Sequence, residues 1–113
     1  MQLSELAFFT SDVPGMTAFY RDFLGAEPVY QSADLAIFDH GGVQILIHRT
    51  YVPGPDDLPP ENHFAFDVAD VDAASAALES AGLQCAVPPR DFDWGRSAYL
   101  RDPDGHLIEL QQK

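Results

Sequence analysis

The sequence predicts an α+β fold of two tandem βαβββ units, whose strands form one curved mixed sheet shaped as a cup. Three observations lead there. Apolar residues alternate with period two in some stretches and recur at helical spacing in two others. The order of those stretches in residues 1–50 returns in residues 62–113. The halves also superimpose by shifts. Moved by 58 residues, Ala7, Phe8, Asp12 and Val13 fall on Ala65, Phe66, Asp70 and Val71. Moved by 63, Asp39 and Gly42 fall on Asp102 and Gly105. A Pro-rich linker over residues 51–61 joins the two units, within a single domain of 113 residues.

Each element has a local reason. Leu3–Thr10 alternates and is rich in Phe, which reads as a strand. Asp12 offers a helix N-cap and Pro14 suits the first turn. Met16, Phe19, Tyr20, Phe23 and Leu24 then make one apolar helix face, and Gly25 fits a left-handed C-terminal residue. Strands follow at Glu27–Gln31, Leu35–Asp39 and Val43–Arg49, the last two joined by the turn Asp39-His40-Gly41-Gly42. Pro53, Pro55, Pro59 and Pro60 keep residues 51–61 out of any strand. The second unit begins with strand Asn62–Val68 and a cap at Asp70. Its helix carries the narrow stripe Val71, Ala74, Leu78, Ala81 and closes at Gly82. Strands Leu83–Val87, Ser97–Arg101 and His106–Gln112 complete it.

Charge narrows the function. Six Lys and Arg against eighteen Asp and Glu give a net −12. Phosphate backbones need a basic stripe, so nucleic acid is excluded as a main partner, and an anionic membrane surface is disfavoured. Metal ions and neutral or cationic small molecules are the favoured visitors. The single cysteine, Cys85, allows no intrachain disulfide and fits a reducing cytoplasm. The N-terminal stretch lacks the basic residues of a signal peptide, and no apolar run approaches the ~20 residues of a membrane span. A domain of this size buries only about 60–65% of its unfolded surface, so a homodimer is expected.

Strand alternation sorts the side chains. Leu6, Phe8, Phe64, Phe66, Ile108 and Leu110 should lie under the helices. Glu5, Phe9, His63, Glu109 and Gln111 then share the opposite face. A sheet curling toward that face brings two carboxylates and an imidazole together. Like charges without a partner are costly there, and a divalent cation removes the penalty. One His and two carboxylates also leave coordination positions open for water and substrate. Phe92, Trp94 and Tyr99 suit the mouth of a small-molecule cleft.

Several segments resemble the vicinal oxygen chelate superfamily, which includes glyoxalase I, bleomycin-resistance proteins, extradiol dioxygenases and fosfomycin-thiol transferases. They are Ser11-Asp12-Val13, the run Phe19 to Gly25, Asn62 to Val68, Trp94-Gly95-Arg96 and, above all, Leu100-Arg101-Asp102-Pro103-Asp104-Gly105-His106-Leu107-Ile108-Glu109-Leu110. The resemblance covers nearly the whole chain and implies a glyoxalase-like fold. It places metal ligands at Glu5, where His or Gln is more usual, at His63 and at Glu109. The fourth family position falls on Leu46, which binds no metal; His48 lies two residues further on the same face.

Two functions follow from the resemblance. The first is a small-molecule enzyme of the lyase, isomerase or extradiol dioxygenase kind. One divalent ion (Ni, Co, Mn, Zn or Fe) acts as Lewis acid on vicinal substrate oxygens, and Glu5 or Glu109 acts as base. Phe9, Leu46, His48, Phe92, Trp94, Tyr99 and Gln111 are the expected substrate contacts. A phosphonate substrate is disfavoured by the charge. The second function is a metal-free protein that sequesters a cationic drug or metabolite. A pure interaction module is a weaker third reading.

Overall fold

The computed structural model describes residues 1–112; Lys113, the last residue of the expected second unit, lies outside them. The chain runs β1 (Gln2–Thr10), α1 (Val13–Leu24), β2 (Tyr30–Gln31), β3 (Leu35–His40), β4 (Val43–Arg49), β5 (His63–Asp67), α2 (Val71–Ser80), β6 (Cys85–Phe92), β7 (Gly95–Arg101) and β8 (Leu107–Gln112). This is the βαβββ order twice over, in an α+β fold with mixed strand directions. Two compact units emerge. One holds residues 5–62, and the other joins residues 1–4 to residue 63 onward.

In the first unit the strands stand in the order β2-β3-β4-β1. β1 and β4 are parallel, with Glu5 opposite Gln44 and Phe9 opposite His48. β3 runs antiparallel to both β2 and β4. The β3–β4 hairpin turns on Gly41 and Gly42, with φ of 59° and 86°. Two consecutive positive φ values match the right-handed strand twist and favour glycine at both places. The second unit repeats this plan as β5-β8-β7-β6, with β5 and β8 parallel and the other pairs antiparallel.

The repeat extends to the caps and the core. Asp12 accepts from the Gly15 amide at 3.0 Å, and Asp70 accepts from the Ala73 amide at 3.1 Å. Each thereby satisfies a helix amide that has no partner within the helix. Val13 and Val71 follow the caps, and both are buried. In the first unit Val13, Ala36, Phe38 and Ile47 form the core, with Met16, Tyr20, Leu24 and Ile45 packed on it. In the second, Val71, Ala98, Leu100 and Leu110 do so, with Phe66, Val68, Ala74, Leu78 and Cys85 around them.

The structure corrects the expected helix face. Phe19 and Phe23 are 59% and 73% exposed and stack on each other instead of entering the core. Val13 and Thr17 occupy the buried stripe. At about 100° per residue, Phe19 and Phe23 sit roughly 80–120° round from the centre of the stripe made by Val13, Met16, Thr17, Tyr20 and Leu24. On α2, Ser75 is buried, and Ala81 is the exposed C-cap rather than a stripe residue.

Two strands also differ in extent. β2 is only Tyr30–Gln31, because Pro28 interrupts the preceding residues and Glu27 pairs with Arg21 at 2.8 Å. β6 starts at Cys85 and continues past Pro88 and Pro89 to Phe92, with register shifts on both sides of Val87. Residues 51–61 contain no strand. There Tyr51 donates from its hydroxyl to the Leu58 carbonyl at 2.6 Å, and Asp57 accepts from the Gly54 amide.

Candidate metal centre

The second unit carries a polar constellation on the sheet face away from α2. β5 and β8 place Ala65 opposite Glu109 and His63 opposite Leu107. Their alternation therefore sends His63 and Glu109 to the same side. His63 Nε2 lies 3.2 Å from Glu109 Oε1. The other oxygen, Oε2, accepts from the Ser97 hydroxyl at 2.8 Å. Glu109 is 3% exposed and Ser97 is fully buried. The carboxylate is thus withdrawn from water between an imidazole and a hydroxyl, and no Arg or Lys pairs with it among the described residues. Such a group is costly unless a cation balances it.

Glu5, the third expected ligand, is the first residue of the other compact unit. It follows Ser4 on β1, and Ser4 is tied into the second unit. Its hydroxyl donates to the Ala65 carbonyl at 3.3 Å, and it accepts from the Gln111 amide at 3.1 Å. Within the second unit, His63 and Glu109 offer one imidazole nitrogen and one carboxylate oxygen 3.2 Å apart. An imidazole nitrogen beside a carboxylate oxygen suits Mn, Fe, Co, Ni or Zn. The His63–Glu109 separation also fits adjacent ligands on one ion, whose donor atoms stand ~3 Å apart when each bond is about 2.1 Å. His63 and Glu109 fit the expected ion on spacing and chemistry, and Glu109 on burial as well.

The expected substrate contacts fall in two groups. In the first unit, His48 packs against Phe9 with ring centroids 5.3 Å apart, and its Nδ1 lies 2.7 Å from the Arg49 carbonyl. Tyr51, not chosen from the sequence, closes this cluster at 6.3 Å from Phe9 and 6.4 Å from His48. Leu46 is on the same strand as His48, opposite Ala7 and half-buried. In the second unit, Tyr99 meets His63 edge-on at 6.0 Å, and Phe92 meets Tyr99 edge-on at 6.2 Å. Trp94 stacks flat on Phe92 at 4.6 Å and is 51% exposed. Arg90 sits over Phe92 with its guanidinium 4.6 Å from the ring centre. Gln111 is buried, with its amide donating to Ser4. Ser97 and Ser4 escaped the sequence reading. The signal for Ser97 was its place two residues before Tyr99 on one strand face. Ser4 gives no such signal.

His40 and His106 stand apart from this constellation. His106 belongs to the β7–β8 turn, where Asp102 accepts from its amide at 2.9 Å. That bond, with the facing His106 ring, holds the Asp102 carboxyl below the usual carboxylate range. Arg96, on the opposite face of β7, pairs with Asp72 of α2 at 2.8 Å and lowers the Asp72 pKa in the same way. Burial pushes the Cys85 thiol up, which makes it a poor nucleophile. No helix among the described residues is long and apolar enough to cross a membrane.

Comparison with known proteins agrees with this geometry. The family model Glyoxalase/Bleomycin resistance protein/Dioxygenase superfamily matches residues 2–110. The chain is 34% identical to the Escherichia coli protein YaeR, over 99% of this chain and 96% of that one. It is 27% identical to the metallothiol transferase FosB of Staphylococcus haemolyticus, over 96% of this chain and 81% of that one. A methylmalonyl-CoA epimerase structure from Streptomyces coelicolor superposes with a TM-score of 0.71 at 24% identity, over 100% of this chain and 94% of that one, a likeness of fold.

Proposed function

This chain belongs to the glyoxalase/bleomycin resistance protein/dioxygenase superfamily, and from that premise we propose that it is a metal-dependent enzyme acting on a small neutral or cationic molecule. The observation that carries the reading is the buried Glu109 carboxylate held 3.2 Å from His63 Nε2 with no Arg or Lys pairing it among the described residues; by the family resemblance Glu5 would be the third ligand. A protein that only sequesters a ligand has no need to bury a carboxylate there. The bound ion would supply Lewis-acid stabilisation of charge developing on vicinal substrate oxygens. The chain's own residues do the rest. His63 and Glu109 hold their atoms fixed through the Ser97 hydrogen bond. With Glu109 held by Ser97, Glu5 is the carboxylate proposed to take a proton from carbon or oxygen. Tyr99 and Phe92 form an apolar wall beside His63 that suits the organic part of a substrate. The name of the FosB relative, a metallothiol transferase, supports metal-dependent chemistry on this fold. The chain works as a homodimer, consistent with the apolar rings of Phe19 and Phe23 left outside its core.

Elemental analysis tests this. Protein purified without a His tag, supplemented with Ni, Co, Mn, Zn or Fe and dialysed, should retain about one ion per chain. His63→Ala should retain at least tenfold less. A wild type that stays metal-free under every supplement sinks the enzyme reading. Trp94, half exposed on its stacking partner Phe92, favours a second reading: sequestration of a cationic drug. Tight binding of a cationic glycopeptide by the metal-free protein would support it.

A further inference from the structure

The Ser97 side chain does more than fill space. It stands fully buried on β7, opposite Gln111 and diagonal to Glu109 on the neighbouring strand. Its oxygen receives the Trp94 indole N–H at 3.4 Å and its own proton goes to Glu109 Oε2 at 2.8 Å. The direction of both bonds is forced. An indole N–H can only donate, so Ser97 accepts from it, and the single hydroxyl proton is left for the carboxylate. With Oε2 so occupied, Oε1 is the oxygen presented on the His63 side, at 3.2 Å from Nε2. From Trp94 to His63, one line of contacts runs from an exposed ring to a buried ligand, all within a single unit.

We infer that Ser97 is a positioning residue that fixes Glu109 as a one-oxygen metal ligand, and that Trp94 holds Ser97 in the orientation this requires. The inference rests on the metal reading above and extends it to two residues that touch no ion. A carboxylate free to rotate can present either oxygen or both, and the site then loses part of its preorganisation. Loss of such outer partners typically weakens metal binding about 10–100-fold. A second consequence is optical. Trp94 is the only tryptophan of the chain, so its emission reports on a centre it does not touch.

The test uses the whole protein, with Zn2+ as a probe ion that is redox-inert and diamagnetic. Wild type, Ser97→Ala and Trp94→Phe are titrated against a chelator of known affinity, and Trp94 emission is followed in the first two. Thermal melts establish that each variant is folded. Ser97→Ala should bind Zn2+ at least tenfold more weakly than wild type. At saturating Zn2+, wild type should show a shift in Trp94 emission that Ser97→Ala lacks, a difference that a loss of packing alone does not produce. Trp94→Phe, altered only at a half-exposed ring, should weaken binding several-fold. Zn2+ affinities within twofold of wild type in both variants, with the emission shift intact in Ser97→Ala, overturn the positioning role while leaving the metal reading in place. A wild type that binds no ion overturns the metal reading itself, and this inference with it.

Discussion

Glu109 shows how one residue can be set against its own solvation. Its carboxylate is buried between an imidazole and a serine hydroxyl, where an ion pair with Arg or Lys would be the ordinary compensation. Glu109→Gln keeps the size of the side chain and an acceptor for Ser97, and removes the charge. Metal retention should fall at least tenfold while the folded state survives, measured by elemental analysis beside a thermal melt. Retention at the wild-type level would show that Glu109 is not a ligand. The sequence made the main residues of this constellation legible because strand alternation is strict. Once Phe64, Phe66, Ile108 and Leu110 are placed under a helix, His63 and Glu109 have only the other face left. The same logic reaches Ser97, but a serine carries no chemistry of its own to attract notice. Its role appears only when its two hydrogen bonds are seen together.

At the scale of elements, capping and turn chemistry were readable and helix orientation was not. Asp12 and Asp70 cap their helices as expected, and removing either by Asp12→Ala or Asp70→Ala should cost about 1 kcal/mol in denaturant unfolding. Ile47→Ala, at a fully buried site in the first core, should cost about 2–5 kcal/mol. Phe23→Ser, at a ring that is mostly outside the core of its own chain, should stay within about 0.5 kcal/mol of wild type when unfolding is followed at concentrations dilute enough for the monomer. The misplaced face of α1 has a physical cause. Bulky aromatic residues outweigh Val13 and Thr17 in any hydrophobic tally, yet the narrow space over Ala36 and Ile47 is filled by the smaller side chains. Proline removes a ladder hydrogen bond, so the sequence predicts an end to β6 before Pro88, whereas the strand absorbs Pro88 and Pro89 by slipping register.

The turn joining β7 and β8 gives a pH prediction. Asp102 titrates lower in the folded protein than the unfolded value near 3.9, because the His106 amide and ring favour its ionised form. Asp72 is lowered likewise by Arg96. A group depressed on folding contributes stability above its unfolded pKa and loses it as pH falls through the folded value. The thermal midpoint should therefore drop as pH is taken from 5 to 3. The drop should be shallower in the Asp72→Asn and Asp102→Asn double variant. Equal slopes would show that these two carboxylates do not carry the acid sensitivity.

The whole molecule carries −12, and a few ion pairs among the described residues relieve it. Most of its acids lie on caps, turns and the proline segment, where they repel one another through solvent. Raising salt from 10 to 300 mM shortens the Debye length from about 30 Å to about 6 Å. The melting temperature should then rise, and a fall on adding salt would show that attractive pairs outweigh the repulsion. The charge also separates what composition can say from what it cannot. It disfavours polyanions as partners, but it does not reveal that Glu109 is set beside His63. That required the strand register.

Pro88 and Pro89 have a bearing on how the protein behaves in a crowded solution. β6 is the outermost strand of its unit, and an outermost strand offers unpaired amides to any passing chain. Of two consecutive prolines, one stands where an amide would face the open edge and removes that donor, and the slipped register interrupts the ladder beside it. At the outer edge of the other unit, β2 is only two residues long and presents too little ladder to extend. Replacing Pro88 and Pro89 by Thr and Val should turn β6 into a template for strand addition, visible as turbidity at temperatures where the wild type stays clear. The same residues that shorten the strand in a reading of the sequence thus act as its guard against fibrous self-association.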